Sequence, residues 1–98
     1  MIVHIVMFKF KDENKTENLK LVEKKLNDLV DKIDVLKSME VGIDFNASER
    51  AFDLSLYSTF ETKEDLKTYA AHEEHLKVVE LIKRVTQESK VVDYILKK

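Results

Sequence analysis

The chain has 98 residues, of which 44% are hydrophobic and 37% charged, a composition typical of one small globular domain and not of a disordered segment. Its 17 basic and 19 acidic side chains are nearly balanced and form no basic tract, so nothing favours a nucleic-acid partner. The absence of cysteine excludes disulfide bonds, thiolate nucleophiles and cysteine-bound metals within these residues.

The first residues give no sign of targeting to or through a membrane. Met1–Phe8 has no basic leader and no small-residue cleavage site, and it is shorter than the roughly 20 apolar residues that cross a bilayer. We therefore expect a cytoplasmic protein without a membrane partner. One glycine and no proline leave no recognisable linker, so we expect a single domain over residues 1–98.

The first predicted strand, Ile2–Phe10, is apolar on both of its faces. Its β-branched and aromatic residues favour a strand, and side chains alternate between the two faces. The face that we expect to contact helices consists of Ile2, His4, Val6, Phe8 and Phe10. An amphipathic helix follows, with Thr16 as its predicted N-cap and an apolar stripe from Leu19 to Ile33.

The rest of the chain predicts a hairpin, a broken helix and a last strand. Ser38–Phe45 and Phe52–Phe60 are joined by a short polar loop, which predicts an antiparallel hairpin. Thr62 is the predicted cap of a helix that bends near His72, and residues 91–96 form the last strand. The order β-α-β-β-α-β predicts a ferredoxin-like α+β sandwich, with both helices on one face of an antiparallel sheet.

The opposite face of the predicted sheet is also apolar. Six residues are expected there: Val3, Ile5, Met7, Tyr57, Val92 and Tyr94. Left exposed, they would form a larger apolar patch than a monomer usually tolerates. A symmetric homodimer, with two sheets packed face to face, would cover this surface. We therefore expect a second copy of the chain as a partner.

The segment from Tyr69 to His75 gathers one tyrosine and two of the three histidines at the predicted bend. Histidine transfers protons near neutral pH, and a buried tyrosine can donate a hydrogen bond to a developing enolate. Such groups could abstract a proton next to a carbonyl, as in aldol-type cyclisation or isomerisation. The alternative is structural: Tyr69 closes the core while one of the histidines caps a helix end.

The sequence gives weaker evidence for other roles of the histidines. His4 lies on the helix-facing side of the first strand, where it is either a hydrogen-bonded core residue or part of a pocket. His72 and His75, with His4 or Glu73 as a third ligand, could bind a metal, but two histidines three residues apart are weak evidence. The sequence contains no glycine-rich phosphate loop and no nucleophile elbow. We expect no metal and no other cofactor.

Motifs along the whole chain resemble one known family. They are the opening Met-Ile-x-His-Ile-Val-x-Phe-Lys-Phe, the central Glu40-Val41-Gly42 and Arg50-x-Phe52-Asp53-Leu54, Leu66-x-x-Tyr69-x-x-His72-x-x-His75, and the closing Val91-Val92-Asp93-Tyr94. Together they resemble the stress-responsive dimeric α/β-barrel (Dabb) family. The resemblance implies a ferredoxin-like unit that pairs through its sheets into a dimeric barrel.

The family resemblance also implies roles for individual residues. Many members have no known activity, whereas plant relatives include a polyketide cyclase in which the motif tyrosine and second histidine are thought to do acid–base work. By position these are Tyr69, as acid or oxyanion donor, and His75, as base. The remaining expected members of a pocket between sheet and helices are His4, Val6, Leu54, Leu56 and His72.

The chain departs from the family pattern at Glu73. The family commonly has proline there, directly after the first motif histidine, where it would fix the start of the following helix.

Three functions are open: a small-molecule binding module of unassigned ligand, an acid–base enzyme acting on a carbonyl compound, and a stress-related interaction protein with a vestigial pocket.

Overall fold

A computed structural model describes residues 1–97, which form a four-stranded antiparallel sheet covered by helices. The strands are β1 (Ile2–Phe10), β2 (Ser38–Ile43), β3 (Leu54–Phe60) and β4 (Thr86–Ile95), in the sheet order β2-β3-β1-β4. The helices are α1 (Lys15–Asp28), α2 (Lys63–Ala71) and α3 (Glu73–Val85), with a short 3-10 turn at Leu29–Asp31. The predicted ferredoxin-like α+β fold is confirmed.

The hydrophobic core lies between the helices and one face of the sheet, which we call the inner face. The helices contribute buried apolar residues at three- and four-residue spacing, and the strands contribute every second residue. The core residues from the strands are Ile2, Phe8, Phe10, Leu54, Leu56 and Phe60. Those from the helices are Val22, Leu26, Tyr69, Val78 and Ile82, and Leu29, Ile33 and Leu36 come from the segment after α1. The alternation predicted for β1 is therefore confirmed.

The opposite face of the sheet, which we call the outer face, contains the six predicted apolar residues. Ile5 pairs with Tyr57 of β3 and with Val92 of β4, and directly paired residues in antiparallel strands lie on the same face. Val3 pairs with Tyr94 in the same way. Val3 itself is fully covered by its neighbours, but Val92 is 53% exposed, and Met7, Tyr57 and Tyr94 are exposed as well.

Several predicted boundaries were wrong. In the hairpin, β2 ends at Ile43 and not at Phe45, and β3 begins at Leu54 and not at Phe52. The N-cap of α1 is Asn14 and not Thr16, because Asn14 adopts the left-handed conformation (φ 53°) that asparagine tolerates, and its carbonyl accepts the amide of Asn18. Strand β4 begins at Thr86, five residues before the predicted start. Its first residues are polar because they form the exposed edge of the sheet, yet they still pair with β1 as far as Phe10.

Candidate functional site

The junction between α2 and α3 brings the predicted cluster together. His72 is extended (φ −67°, ψ 136°), which ends α2 and turns the chain into α3. The backbone N–H of Glu74 donates to His72 Nδ1 at 3.1 Å, so this histidine is the N-cap of α3. Glu73 is the first residue of α3, which shows that the helix starts at this point without the family's proline.

Tyr69 and His75 meet across this bend. Their ring centroids are 4.3 Å apart, and Phe60 packs on Tyr69 at 5.0 Å. His75 Nδ1 lies 3.1 Å from the backbone carbonyl oxygen of Ala70. Because a carbonyl oxygen can only accept, Nδ1 is the donor, and in the neutral ring Nε2 therefore carries the free lone pair. His75 is thus held in the tautomer that can accept a proton at Nε2.

Burial sets the charge state of both side chains. Burial lowers the pKa of His75; the hydrogen bond to Ala70 opposes this effect, while His4 and His72 lower the pKa further. Burial also raises the pKa of Tyr69, which is only 1% exposed. At neutral pH the site therefore pairs a neutral imidazole with a neutral phenol, which are respectively a proton acceptor and a hydrogen-bond donor.

His4 approaches the same region from the sheet. Its ring centroid is 6.5 Å from that of Tyr69, and its Nδ1 is in hydrogen-bond contact with Asp93 Oδ1. Asp93 lies directly opposite His4 in the β1–β4 register. Since a carboxylate only accepts, Nδ1 of His4 donates to it, and this contact fixes the ring orientation. The backbone carbonyl of His4 accepts the Ser58 hydroxyl at 3.1 Å.

A cavity of about 200 Å³ lies between α3 and the inner face of the sheet. Its walls are aliphatic and aromatic, with the histidine–tyrosine group on one side. The lining residues are His4, Val6, Phe8, Leu26, Leu56, Tyr69, His75, Val78, Val79, Ile82, Lys83, Thr86 and Ser89. Apolar walls with a few convergent polar groups are the chemistry of a small-molecule site, but the volume is below the roughly 300–1,000 Å³ of sites for drug-sized ligands, so only a smaller molecule would fit.

The structure places the predicted site residues in two groups. His4, Val6, Leu56, Tyr69 and His75 line the cavity. Leu54 and His72 do not. Leu54 pairs with Ile43 at the loop end of the hairpin and borders a separate surface cleft, and the ring of His72 is engaged as the helix cap.

Several lining residues were missed by sequence reasoning. Val78, Val79 and Ile82 were not predicted as members of the pocket, although they follow His75 at three- and four-residue spacing and so share one side of α3. Asp93 could have been found only from the β1–β4 register, because it is distant from His4 in sequence.

Two further findings concern residues 1–97 as a whole. They contain no group of three or more histidine, aspartate or glutamate side chains arranged to hold a metal ion. None of their helices combines the length and the apolar character needed to cross a membrane.

Solved structures share this fold over nearly the whole chain. A dimeric protein of unknown function with a ferredoxin-like fold from Bacteroides fragilis superimposes with a TM-score of 0.81 and 31% identity, over 97% of this chain and 95% of the other. The crystal structure of the Arabidopsis thaliana protein At3g17210 gives a TM-score of 0.88 and 25% identity, over 100% and 97% of the two chains.

Sequence relatives lead to the same family. The chain is 35% identical over 96 residues to a stress-response A/B barrel domain-containing protein of Arabidopsis thaliana, covering 97% of this chain and 36% of that protein. It spans about a third to a half of the length of the plant relatives that it matches. The model of the stress responsive A/B barrel domain (Dabb) matches residues 2–96, and the chain belongs to this family.

Proposed function

We propose that this protein binds a small, largely apolar molecule carrying a carbonyl or hydroxyl oxygen in the cavity between α3 and the sheet. The observation that carries the proposal is the convergence of His4, Tyr69 and His75 on an apolar cavity of about 200 Å³. At about 30 Å³ per water-sized group, this volume holds roughly six or seven such groups, which indicates a small ligand. The ligand oxygen would accept from Tyr69 or donate to His75.

The fixed tautomer of His75 favours a second function, acid–base catalysis on a carbonyl compound. The Ala70 carbonyl holds the proton on Nδ1, so Nε2 can take a proton from the carbon next to a carbonyl group. The negative charge then moves to the carbonyl oxygen, where the Tyr69 hydroxyl can stabilise the enolate by donating a hydrogen bond. Aldol-type cyclisation and isomerisation both begin with this step.

Tyr69→Phe tests both functions with one atom removed. The variant keeps the ring that packs on Phe60 and His75. If Tyr69 has only a structural role, the free energy of unfolding should change by about 1 kcal/mol and nothing else should change. Binding of a small ketone such as 2-hexanone should weaken if the hydroxyl contacts the ligand. An enzyme should lose rate with little change in stability. Tyr57→Phe on the outer face is the matched control.

The binding proposal fails if the wild-type protein binds none of a panel of short ketones, aldehydes and alcohols. It also fails if Tyr57→Phe weakens binding as much as Tyr69→Phe does, because Tyr57 lies on the other side of the sheet. The catalytic proposal fails if ketones bind but their α-hydrogens exchange with deuterated water no faster than in the absence of protein.

We also propose that the protein is a homodimer whose outer faces pack together. The exposed apolar residues of that face support this assembly, since their burial would remove a patch that is costly in water. The Bacteroides fragilis relative, which is dimeric and shares 31% identity, gives independent support. The cavity lies on the inner face, so the dimer contact would leave it accessible.

A further inference from the structure

We infer that the natural ligand of the cavity carries a carboxylate at the end opposite His75, where Lys83 and Ser89 receive it. This inference rests on the proposed binding function and adds the ligand's charge and orientation. It comes from the distribution of polar groups along the cavity, which is different at its two ends.

The polar residues that line the cavity are widely separated along α3 and along the sheet. His75 and Lys83 are eight residues apart on α3, which corresponds to about 12 Å along the helix axis. On the sheet, His4 pairs with Asp93 at one end, and Phe8 pairs with Ser89 at the other. His4 and Phe8 are separated by about 13 Å of extended chain. The acid–base group and Lys83 therefore lie at opposite ends of the same apolar channel.

The Lys83 end is suited to an anion. Lys83 is the one cationic lysine or arginine in the lining, and it takes part in none of the ion pairs found within residues 1–97. An ammonium group can only donate, so its partner must accept. Ser89, a second polar residue of the lining, offers a hydroxyl, whereas the Thr86 hydroxyl already donates to the Ile82 carbonyl at 2.8 Å. A carboxylate could accept from Lys83 and Ser89 together.

The opposite end disfavours an anion. Asp93 contacts His4 there, and its side chain is 47% exposed, so it adds a negative charge beside the histidine–tyrosine group. A ligand carboxylate placed at that end would meet this like charge. The two ends together favour one orientation, with the carboxylate at Lys83 and a neutral oxygen at Tyr69 and His75. The ligand class is a short, unbranched oxo-acid or hydroxy-acid.

Two ketones that differ at one end test this inference. 5-Oxohexanoate and 2-hexanone share the methyl ketone and the chain, but the first ends in a carboxylate and the second in a methyl group. Their dissociation constants should be measured by calorimetry or protein NMR for the wild-type protein, for Lys83→Gln and for Lys77→Gln. Lys77 is the matched control, because it is an exposed lysine of α3 outside the cavity lining.

The wild-type protein should bind 5-oxohexanoate about two- to fivefold more tightly than 2-hexanone, the range expected for a partly exposed ion pair. Lys83→Gln should bring this ratio to about one, and Lys77→Gln should keep the wild-type ratio. High salt should reduce the preference.

Distinct results would overturn the two proposals. If 2-hexanone binds but 5-oxohexanoate binds no better, or if Lys83→Gln leaves their ratio unchanged, the carboxylate inference is wrong and the binding function stands. If neither ketone binds to the wild-type protein, the binding function fails, and the inference that depends on it fails as well.

Discussion

Filling the cavity with Val78→Phe should cost little stability, whereas the same exchange at Val22 should cost much more. Val78 lies on α3 and lines the cavity, while Val22 lies on α1, is 0% exposed and does not line it. Both residues are buried valines within helices, and valine and phenylalanine have similar helix propensities. The difference between the two variants therefore reports the empty space beside each side chain.

The cavity volume sets the expected magnitude. Phenylalanine adds four carbon atoms to valine, which at about 30 Å³ per water-sized group would occupy about 120 Å³. This is more than half of the cavity of about 200 Å³. At about 0.8 kcal/mol per buried carbon, the new contacts offset most of the lost rotamer freedom and imperfect fit, so we expect a change within about 1 kcal/mol. At Val22 the added atoms meet packed neighbours, and overpacking costs about 1–3 kcal/mol or more.

Urea unfolding measures the free energy of unfolding of both variants. The protein concentration should be the same in all experiments, because dimerisation would make the unfolding midpoint depend on concentration. Val78→Phe should also abolish 2-hexanone binding. An equal loss of stability in Val78→Phe and Val22→Phe would contradict this prediction, because the space beside α3 would then not exist in solution. Ketone binding by Val78→Phe as tight as that of the wild type would contradict it as well.

Three further predictions test the charges and the outer face. Burial lowers the pKa of His75 in the folded state, so the unfolded chain binds this proton more readily, and the free energy of unfolding should fall as pH decreases through about 6.5. His75→Gln should remove this component of the pH dependence in denaturation experiments. A variant with the same dependence of unfolding free energy on pH as the wild type would contradict the prediction. Asp53 accepts a hydrogen bond from the Phe10 amide at 2.7 Å and contacts Lys15 at 2.9 Å. Asp53→Ala should therefore lower the free energy of unfolding, measured in urea, by about 1–3 kcal/mol. A loss below about 0.5 kcal/mol, the level of a plain surface substitution, would contradict this prediction. Val92→Asp should convert the proposed dimer to monomer in analytical ultracentrifugation, whereas Leu21→Asp on α1, a similarly exposed apolar residue, should not. Dimers in both variants would exclude the outer-face contact.

The sequence predicted those features that depend on local pattern. The alternation in Ile2–Phe10 placed His4 on the inner face and Ile5 on the outer face, and both are confirmed by the strand pairing. Thr62 was also correctly predicted as a cap, since its hydroxyl accepts the Asp65 amide at 3.0 Å. These features follow from side-chain period and capping chemistry, which are visible within a few residues of chain.

Other features depend on how distant segments meet, and they could not be predicted. The polar start of β4 at Thr86 carries no apolar alternation, because an exposed edge strand does not need it. The contact between His4 and Asp93 requires the β1–β4 register. The cavity is a volume left between α3 and the sheet, and it therefore depends on packing that no short motif encodes.

The most direct test of the ligand site is an NMR titration of the methyl-labelled protein with 2-hexanone. We expect saturable shifts of the methyl signals of Val6, Leu56 and Val79, which line the cavity, with little change at Val22. Shifts centred instead on Leu54, which borders the separate cleft at the hairpin, would place the ligand elsewhere. No saturable shift up to the solubility limit of the ketone would contradict the binding function itself.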